Sequence, residues 1–142
     1  MYLDELLNET KKAYNENEIP VGALIVKNNE IIAIAHNTKE TNKCCLNHAE
    51  INVIILASKY LNSWRLDECD MYITMEPCIM CYGAIIQSRI KNVYYLLNNT
   101  KYGFLGNNLK QKYLNTKFIK IDDEKYEKEI LKMLKKFFSE RR

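Results

Sequence analysis

The feature that most restricts the folds open to this chain is a set of three metal-ligating side chains split between two distant segments. His48 lies in NHAEI (47–51), and Cys78 and Cys81 lie in EPCIMC (76–81). Thiolates and an imidazole are the donors that tetrahedral zinc takes. The two cysteines are three positions apart at the start of a helical run, so their sulfurs share one face, and the positive helix end favours the thiolate form. His48 opens a second helical run thirty residues earlier. The fold must set these two helix starts side by side, and a unit of two parallel strands with a crossover helix does so.

The rest of the chain reads as elements that supply such a unit. Leu3, Leu6, Leu7, Ala13 and Tyr14 fall near helical spacing in an opening amphipathic helix that should stop before Pro20. VGALIVK (21–27) and IIAIAH (31–36) are β-rich runs, and Asn28-Asn29 between them predicts a tight hairpin. A polar stretch, Asn37 to Asn47, precedes a helix over 48–60. A short strand is expected at 71–75, a helix opened by Pro77 at 78–88, a strand at 92–97 and another near 118–121. A closing helix over about 123–140 has Asp122 as candidate N-cap and an apolar stripe of Tyr126, Ile130, Met133, Leu134, Phe137 and Phe138. No repeat or low-complexity linker divides the 142 residues, so one α/β domain over 1–142 is expected.

Three protein ligands leave the fourth zinc position to water, whose pKa the metal lowers until hydroxide forms near neutrality. Glu50, two residues after His48 in a first helical turn, is placed to reach that water without binding the metal. Its carboxylate can take the water's proton and return it to a ring nitrogen and a leaving amine. His-x-Glu followed by Pro-Cys-x-x-Cys matches the known signature of zinc deaminases that act on nucleobases, a group that includes the tRNA adenosine deaminase lineage. Either half alone would be weak; the two together are specific. Cys44 and Cys45 lie close enough to His48 in sequence to leave open a second arrangement, in which one of them closes a four-ligand structural site.

Charge adds a second indication. No acidic residue occurs from Pro77 to Ile121, whereas Arg89, Lys91, Lys101, Lys110, Lys112, Lys117 and Lys120 do, although the formal net charge is only +3. A polyanion such as nucleic acid is a reasonable partner for that stretch. The cysteines number five and the opening twenty residues carry Asp4, Glu5, Glu9, Glu16 and Glu18 with no long apolar run. A reducing, cytoplasmic setting is therefore expected rather than a secreted disulfide framework. Without any run of about 18 apolar residues, no membrane span is expected.

Over nearly its whole length the chain resembles the bacterial tRNA-specific adenosine deaminases of the cytidine and deoxycytidylate deaminase superfamily. The resemblance rests on NEIPVGALIV (17–26), His36-Asn37, HAEI (48–51), TMEPCIMCYGAIIQSRI (74–90), KYGFLG (101–106) and KKFFSERR (135–142). It implies a cytidine-deaminase-like three-layer fold, a mixed five-stranded sheet covered by helices, and one zinc ion per subunit on His48, Cys78 and Cys81, with Glu50 shuttling protons. It implies that Asn37 hydrogen-bonds the flipped base, that Val21, Ala49 and the Glu76-Pro77 backbone shape the pocket, and that a homodimer binds the tRNA anticodon arm. Lys101, Lys110, Phe137, Phe138, Arg141 and Arg142 are the candidate RNA contacts. The activity implied is deamination of the wobble adenosine to inosine in an arginine tRNA. Two alternatives stay open: a zinc deaminase of a free base or nucleotide, cytosine-type or guanine, and a non-catalytic zinc-containing RNA-binding module. The segments CCLN (44–47) and KYGFLG depart from the small residues usual there, and both bear on substrate fit.

Overall fold

The computed structural model describes residues 2–104 and 115–141. Within them α1 (Tyr2–Asn15) leads into β1 (Gly22–Lys27) and β2 (Glu30–His36), then α2 (Lys39–Asn42), α3 (Ala49–Leu61), β3 (Asp70–Met75), α4 (Ile79–Ser88), β4 (Asn92–Leu97), β5 (Lys117–Lys120) and α5 (Glu124–Ser139). The five strands form one mixed sheet in the order β2-β1-β3-β4-β5. β1 runs antiparallel to β2 and to β3, whereas β3, β4 and β5 are parallel. The unit β3-α4-β4 is thus the parallel crossover that the split ligand set calls for.

The β1–β2 hairpin forms where Asn28-Asn29 predicts it. Both asparagines have positive φ, 52° and 64°, the left-handed pair that matches the twist of a two-residue hairpin and that Asn tolerates better than most residues. Alternation along the central strands then sorts side chains into two cores. Ala23, Ile25, Met71, Ile73 and Val93 meet Ala49, Val53, Ala57 and Ile85 of α3 and α4 on one face. Leu24, Val26 and Leu96 meet Leu6 and Leu7 of α1 and Ile130 and Leu134 of α5 on the other. The result is the three-layer α/β arrangement expected from the sequence. Tyr94 stacks on Tyr72 at 4.8 Å on the α1/α5 face, while Tyr95 packs against the other core.

α1 stops before Pro20 as the sequence predicts, ending at Asn15 because Asn17 turns the chain at a φ of 62°. Two further details differ from expectation. Asp123, not Asp122, is the N-cap of α5: the Ile121 amide still donates to Tyr95 O at 2.8 Å, which prolongs the strand, and Asp122 faces the Lys120 ammonium instead. The polar stretch after β2 contains the short helix α2, whose N-terminal amides of Glu40 and Thr41 donate to the carboxylate of Glu18, 22 and 23 residues away. A cap supplied from so far along the chain leaves no local signature.

Candidate metal centre and pocket

His48 and Cys78 are the N-caps of α3 and α4, and both have extended backbone, so each side chain stands at the mouth of its helix rather than along its flank. Cys81 follows in the first turn of α4 and is fully buried. The ligand atoms of His48, Cys78 and Cys81 lie within 4.8 Å of one another. His48 Nδ1 is 3.7 Å from Cys78 Sγ and 3.5 Å from Cys81 Sγ. Zinc bonds of about 2.3 Å to sulfur and about 2.0 Å to nitrogen at a tetrahedral angle place the two donors roughly 3.5 Å apart. The residues present therefore fit the ion, with Nδ1 as the imidazole donor.

The electrostatics agree. The Cys81 thiol hydrogen-bonds Cys78 and, together with His48, holds the Cys78 thiol down to about 3, a thiolate at neutral pH. That same bond to Cys78, with burial, pushes Cys81 up. The hydrogen bond that the His48 ring donates to the Cys78 thiolate raises His48 in turn. In the absence of metal these three groups share protons that an incoming cation would displace. Neither Cys44 nor Cys45 joins the set: among the described residues the grouping contains His48, Cys78 and Cys81 alone.

Glu50, in the first turn of α3, is 4 % exposed, and burial pushes its carboxyl above the usual range. It lines the floor of a cavity of about 810 Å³ together with His48, Ala49 and Cys78, and with Val21, Asn37 and Glu76 from the flanking loops. Asn37 is buried and fixed by both ends of its amide: Oδ1 accepts from Lys39 N at 3.0 Å, and Nδ2 donates to Ile19 O at 3.3 Å. Glu76 accepts the Asn99 amide at 3.1 Å. Pro77 does not line the cavity; its carbonyl instead accepts the Phe104 amide at 3.1 Å, which ties down the loop beyond β4.

The candidate RNA contacts separate. Lys101 and Phe138 line the cavity mouth. Phe137 does not: it is 4 % exposed, an interior residue of α5, and the Arg141 guanidinium lies 3.4 Å over its ring while Nη1 donates to Phe137 O. The expected surface role for that ring gives way to packing, because successive helical residues point about 100° apart and only Phe138 turns outward. Lys110 and Arg142 lie outside the described residues. The acid-free stretch is not a bare cationic surface either, since Lys91 pairs with Glu68 and Lys120 with Glu127. Ile19, Lys39, Met75, Asn99, Tyr102 and Leu134 complete the lining. No local pattern marks them, because loops and the far end of α5 bring them together; Tyr102 alone stood out, as a bulky residue in an unusual place.

Comparison with known proteins places this geometry. The chain matches the MafB19-like deaminase family over residues 1–142. It is 44 % identical over 106 residues to the tRNA-specific adenosine deaminase of Bacillus subtilis, a match that covers 75 % of this chain and 66 %, just under two thirds, of that relative. It is similar to a structure solved in studies of A-to-I editing by tRNA:A34 deaminases at the wobble position of transfer RNA, with a TM-score of 0.78, 30 % identity, and coverage of 83 % of this chain and 95 % of that one. A guanine deaminase structure from Bacillus subtilis matches with a TM-score of 0.65 and 38 % identity over 69 % of this chain and 63 % of that one. The chain belongs to the MafB19-like deaminase family.

Proposed function

We propose that this protein hydrolytically deaminates the wobble adenosine of a tRNA anticodon, that of an arginine tRNA, to inosine, releasing ammonia. The observation that carries the reading is the buried Glu50 carboxyl on the cavity floor beside a ligand set that fits zinc. His48, Cys78 and Cys81 would hold one zinc per subunit. Bound there, zinc supplies a nucleophile near neutral pH by lowering the pKa of water. Glu50 takes one proton from the attacking water, holds it in a buried site where the neutral carboxyl is favoured, and gives it to N1 of the purine; it then takes the remaining proton from the new C6 hydroxyl and delivers it to the departing amine. Water adds to C6, the C6–N bond breaks, and the products are inosine and ammonia.

Asn37, already oriented by Lys39 and Ile19, keeps one acceptor lone pair and one amide proton for the base. Val21 and Ala49 line the walls, and the Glu76-Pro77 backbone, tied to Leu97 and Phe104, helps shape the pocket. Lys101, Phe138 and Arg141, joined by Lys110 and Arg142 on sequence grounds, would contact the anticodon arm. Exposed Ile55, Leu56 and Tyr60 of α3 and Ile79 of α4 favour a homodimer, since apolar side chains of that size in water mark a surface built for contact. No helix among the described residues is long and apolar enough to cross a membrane. A cytoplasmic site of action accords with free cysteines and a tRNA substrate.

The guanine deaminase neighbour supports a second reading, turnover of a free base. A cavity of about 810 Å³ with two large exposed aromatic side chains at its edge favours a polymer over so small a ligand. The test is inosine formation and ammonia release from an anticodon stem-loop carrying a wobble adenosine, beside free adenosine, cytidine, deoxycytidylate and guanine. RNA-only turnover that a chelator abolishes is expected. Turnover of guanine or a cytosine nucleotide alone would transfer the site to the second reading, and no turnover at all would favour a non-catalytic zinc-containing RNA-binding module.

A further inference from the structure

Tyr102 is 66 % exposed at the mouth of the cavity, the most exposed aromatic side chain among the described residues. Its backbone is nevertheless tightly held. Tyr102 N donates to Asn99 Oδ1 at 3.1 Å, and Gly103 N donates to Asn99 O at 2.8 Å. Gly103 bridges to the ligand Cys78, and a side chain there would meet Asn99 O at 2.3 Å and the Glu76 carboxylate at 2.4 Å, so the loop comes closer to the site than any residue with a Cβ allows. Phe104 then anchors the far side: its ring meets Tyr82 edge-on at 4.9 Å, and Tyr82 stacks on Phe118 of β5 at 5.1 Å. Two bulky residues of this loop thus have opposite fates, Phe104 packed under it and Tyr102 raised into solvent beside the pocket.

The Lys101 ammonium lies 5.2 Å from the centroid of the Tyr102 ring, a cation–π contact that occupies one face. The ring's exposure leaves surface to which a planar group can add, and the ammonium beside it suits the phosphate that such a group carries in a nucleic acid. Phe138, 52 % exposed on α5, lines the same mouth. A base that reaches Glu50 leaves its two neighbours outside, and unstacked bases find aromatic faces in proteins that read single-stranded loops.

We infer that Tyr102 is a specificity-determining residue, a stacking platform for the nucleotide next to the target base, with Lys101 holding the adjoining phosphate. The inference rests on the RNA reading above, and names the element by which the pocket prefers a base in a strand to a free one. The test is equilibrium binding of anticodon stem-loops to the zinc-loaded protein, each RNA intact or abasic at the position before or after the wobble adenosine. The proteins are wild type, Tyr102→Phe and Tyr102→Ala. Wild type and Tyr102→Phe should lose roughly ten-fold in affinity with one of the two abasic RNAs, and Tyr102→Ala should bind the intact RNA as weakly and lose nothing further. Zinc content should be the same in all three. Equal abasic penalties in wild type and Tyr102→Ala would overturn the inference, as would an effect of Tyr102→Ala on zinc content or kcat with the penalties unchanged. Stem-loop binding with this coupling but no inosine formed would refute the proposed reaction while leaving the platform standing.

Discussion

The floor and the rim of the pocket are built on different principles. The floor is assembled from residues close in sequence at two helix starts: His48 caps α3, Glu50 follows in its first turn, Cys78 caps α4 and Cys81 completes that turn. Its positions are set by helix geometry, and the helices are set by apolar faces on one side of the sheet. The rim is assembled by single side chains that reach across long stretches of chain, Glu18 to α2, Asn37 to Ile19 and Glu76 to Asn99. The floor fixes chemistry through a rigid frame, whereas the rim fixes substrate fit through hydrogen bonds that one substitution removes. The floor should therefore fail in turnover with its fold intact, and the rim in fit or stability with its chemistry intact.

The largest expected effect follows from breaking the floor's ligand set. Cys81→Ser replaces a buried sulfur donor with a hydroxyl that zinc takes far less readily, so metal content should fall well below one per chain and turnover should become undetectable. Elemental analysis of the purified variant checks the first and the inosine assay the second. A variant that kept full zinc and full activity would show that the three-donor geometry is not the operating site. Next in size is Glu50→Gln, which leaves the ligands untouched but removes the proton carrier. It should lower kcat roughly a hundred-fold to ten-thousand-fold with zinc content unchanged. Parallel loss of metal would instead make Glu50 a structural support of the site.

The contrast also explains what the sequence allowed to be read. Two motifs of five and six residues suffice for the floor, because the candidate ligands and Glu50 sit at the N-caps and in the first turns of two helices and helix geometry is a local property. The order of strands and helices followed for the same reason, and the hairpin was marked by Asn28-Asn29. The rim was largely illegible. Glu18 reads as one more acid in an acidic opening segment, and nothing near it announces that it caps a helix beginning at Lys39. Phe137 and Phe138 are indistinguishable in composition; only the rotation of α5 against the sheet buries one and exposes the other. The choice between Asp122 and Asp123 as cap was decided by a strand hydrogen bond at Ile121, which is a tertiary fact.

Glu18 provides the smaller, sharper test of the rim. It is 0 % exposed, and burial raises its carboxyl, but hydrogen bonds from Thr41 Oγ1 and from the amides of Glu40 and Thr41 outweigh that and hold it below the ordinary 4.5. A depressed folded-state pKa contributes stability that is fully present above the unfolded value and is lost as pH falls through the folded one. Urea unfolding at neutral pH should find Glu18→Gln roughly 1.5–3 kcal/mol less stable than wild type, and the gap should narrow as the pH drops below about 4.5. KM for the stem-loop should rise through the loosened Lys39–Asn37 contact, with kcat little changed. A fall in kcat with KM constant would mean that rim and floor are coupled after all.

The smallest expected effect bears on where the floor ends. Cys44 and Cys45 sit in the turn between α2 and α3, close in sequence to His48, and a floor defined by sequence proximity would include them. The backbone argues otherwise. The Cys44 amide is spent on Lys39 O at 3.1 Å, closing the α2 turn, and its carbonyl accepts from Asn47 N at 3.2 Å, while Cys45 is exposed. Both peptide groups of Cys44 thus serve to deliver the chain to His48, and this task needs no thiol. Cys44→Ser and Cys45→Ser, singly or together, should keep one zinc per chain and change kcat and KM by less than about two-fold, as surface substitutions away from special features do. Loss of zinc in either variant would show that a thiol from this turn closes the coordination sphere, leaving Glu50 beside a metal with no open position for water.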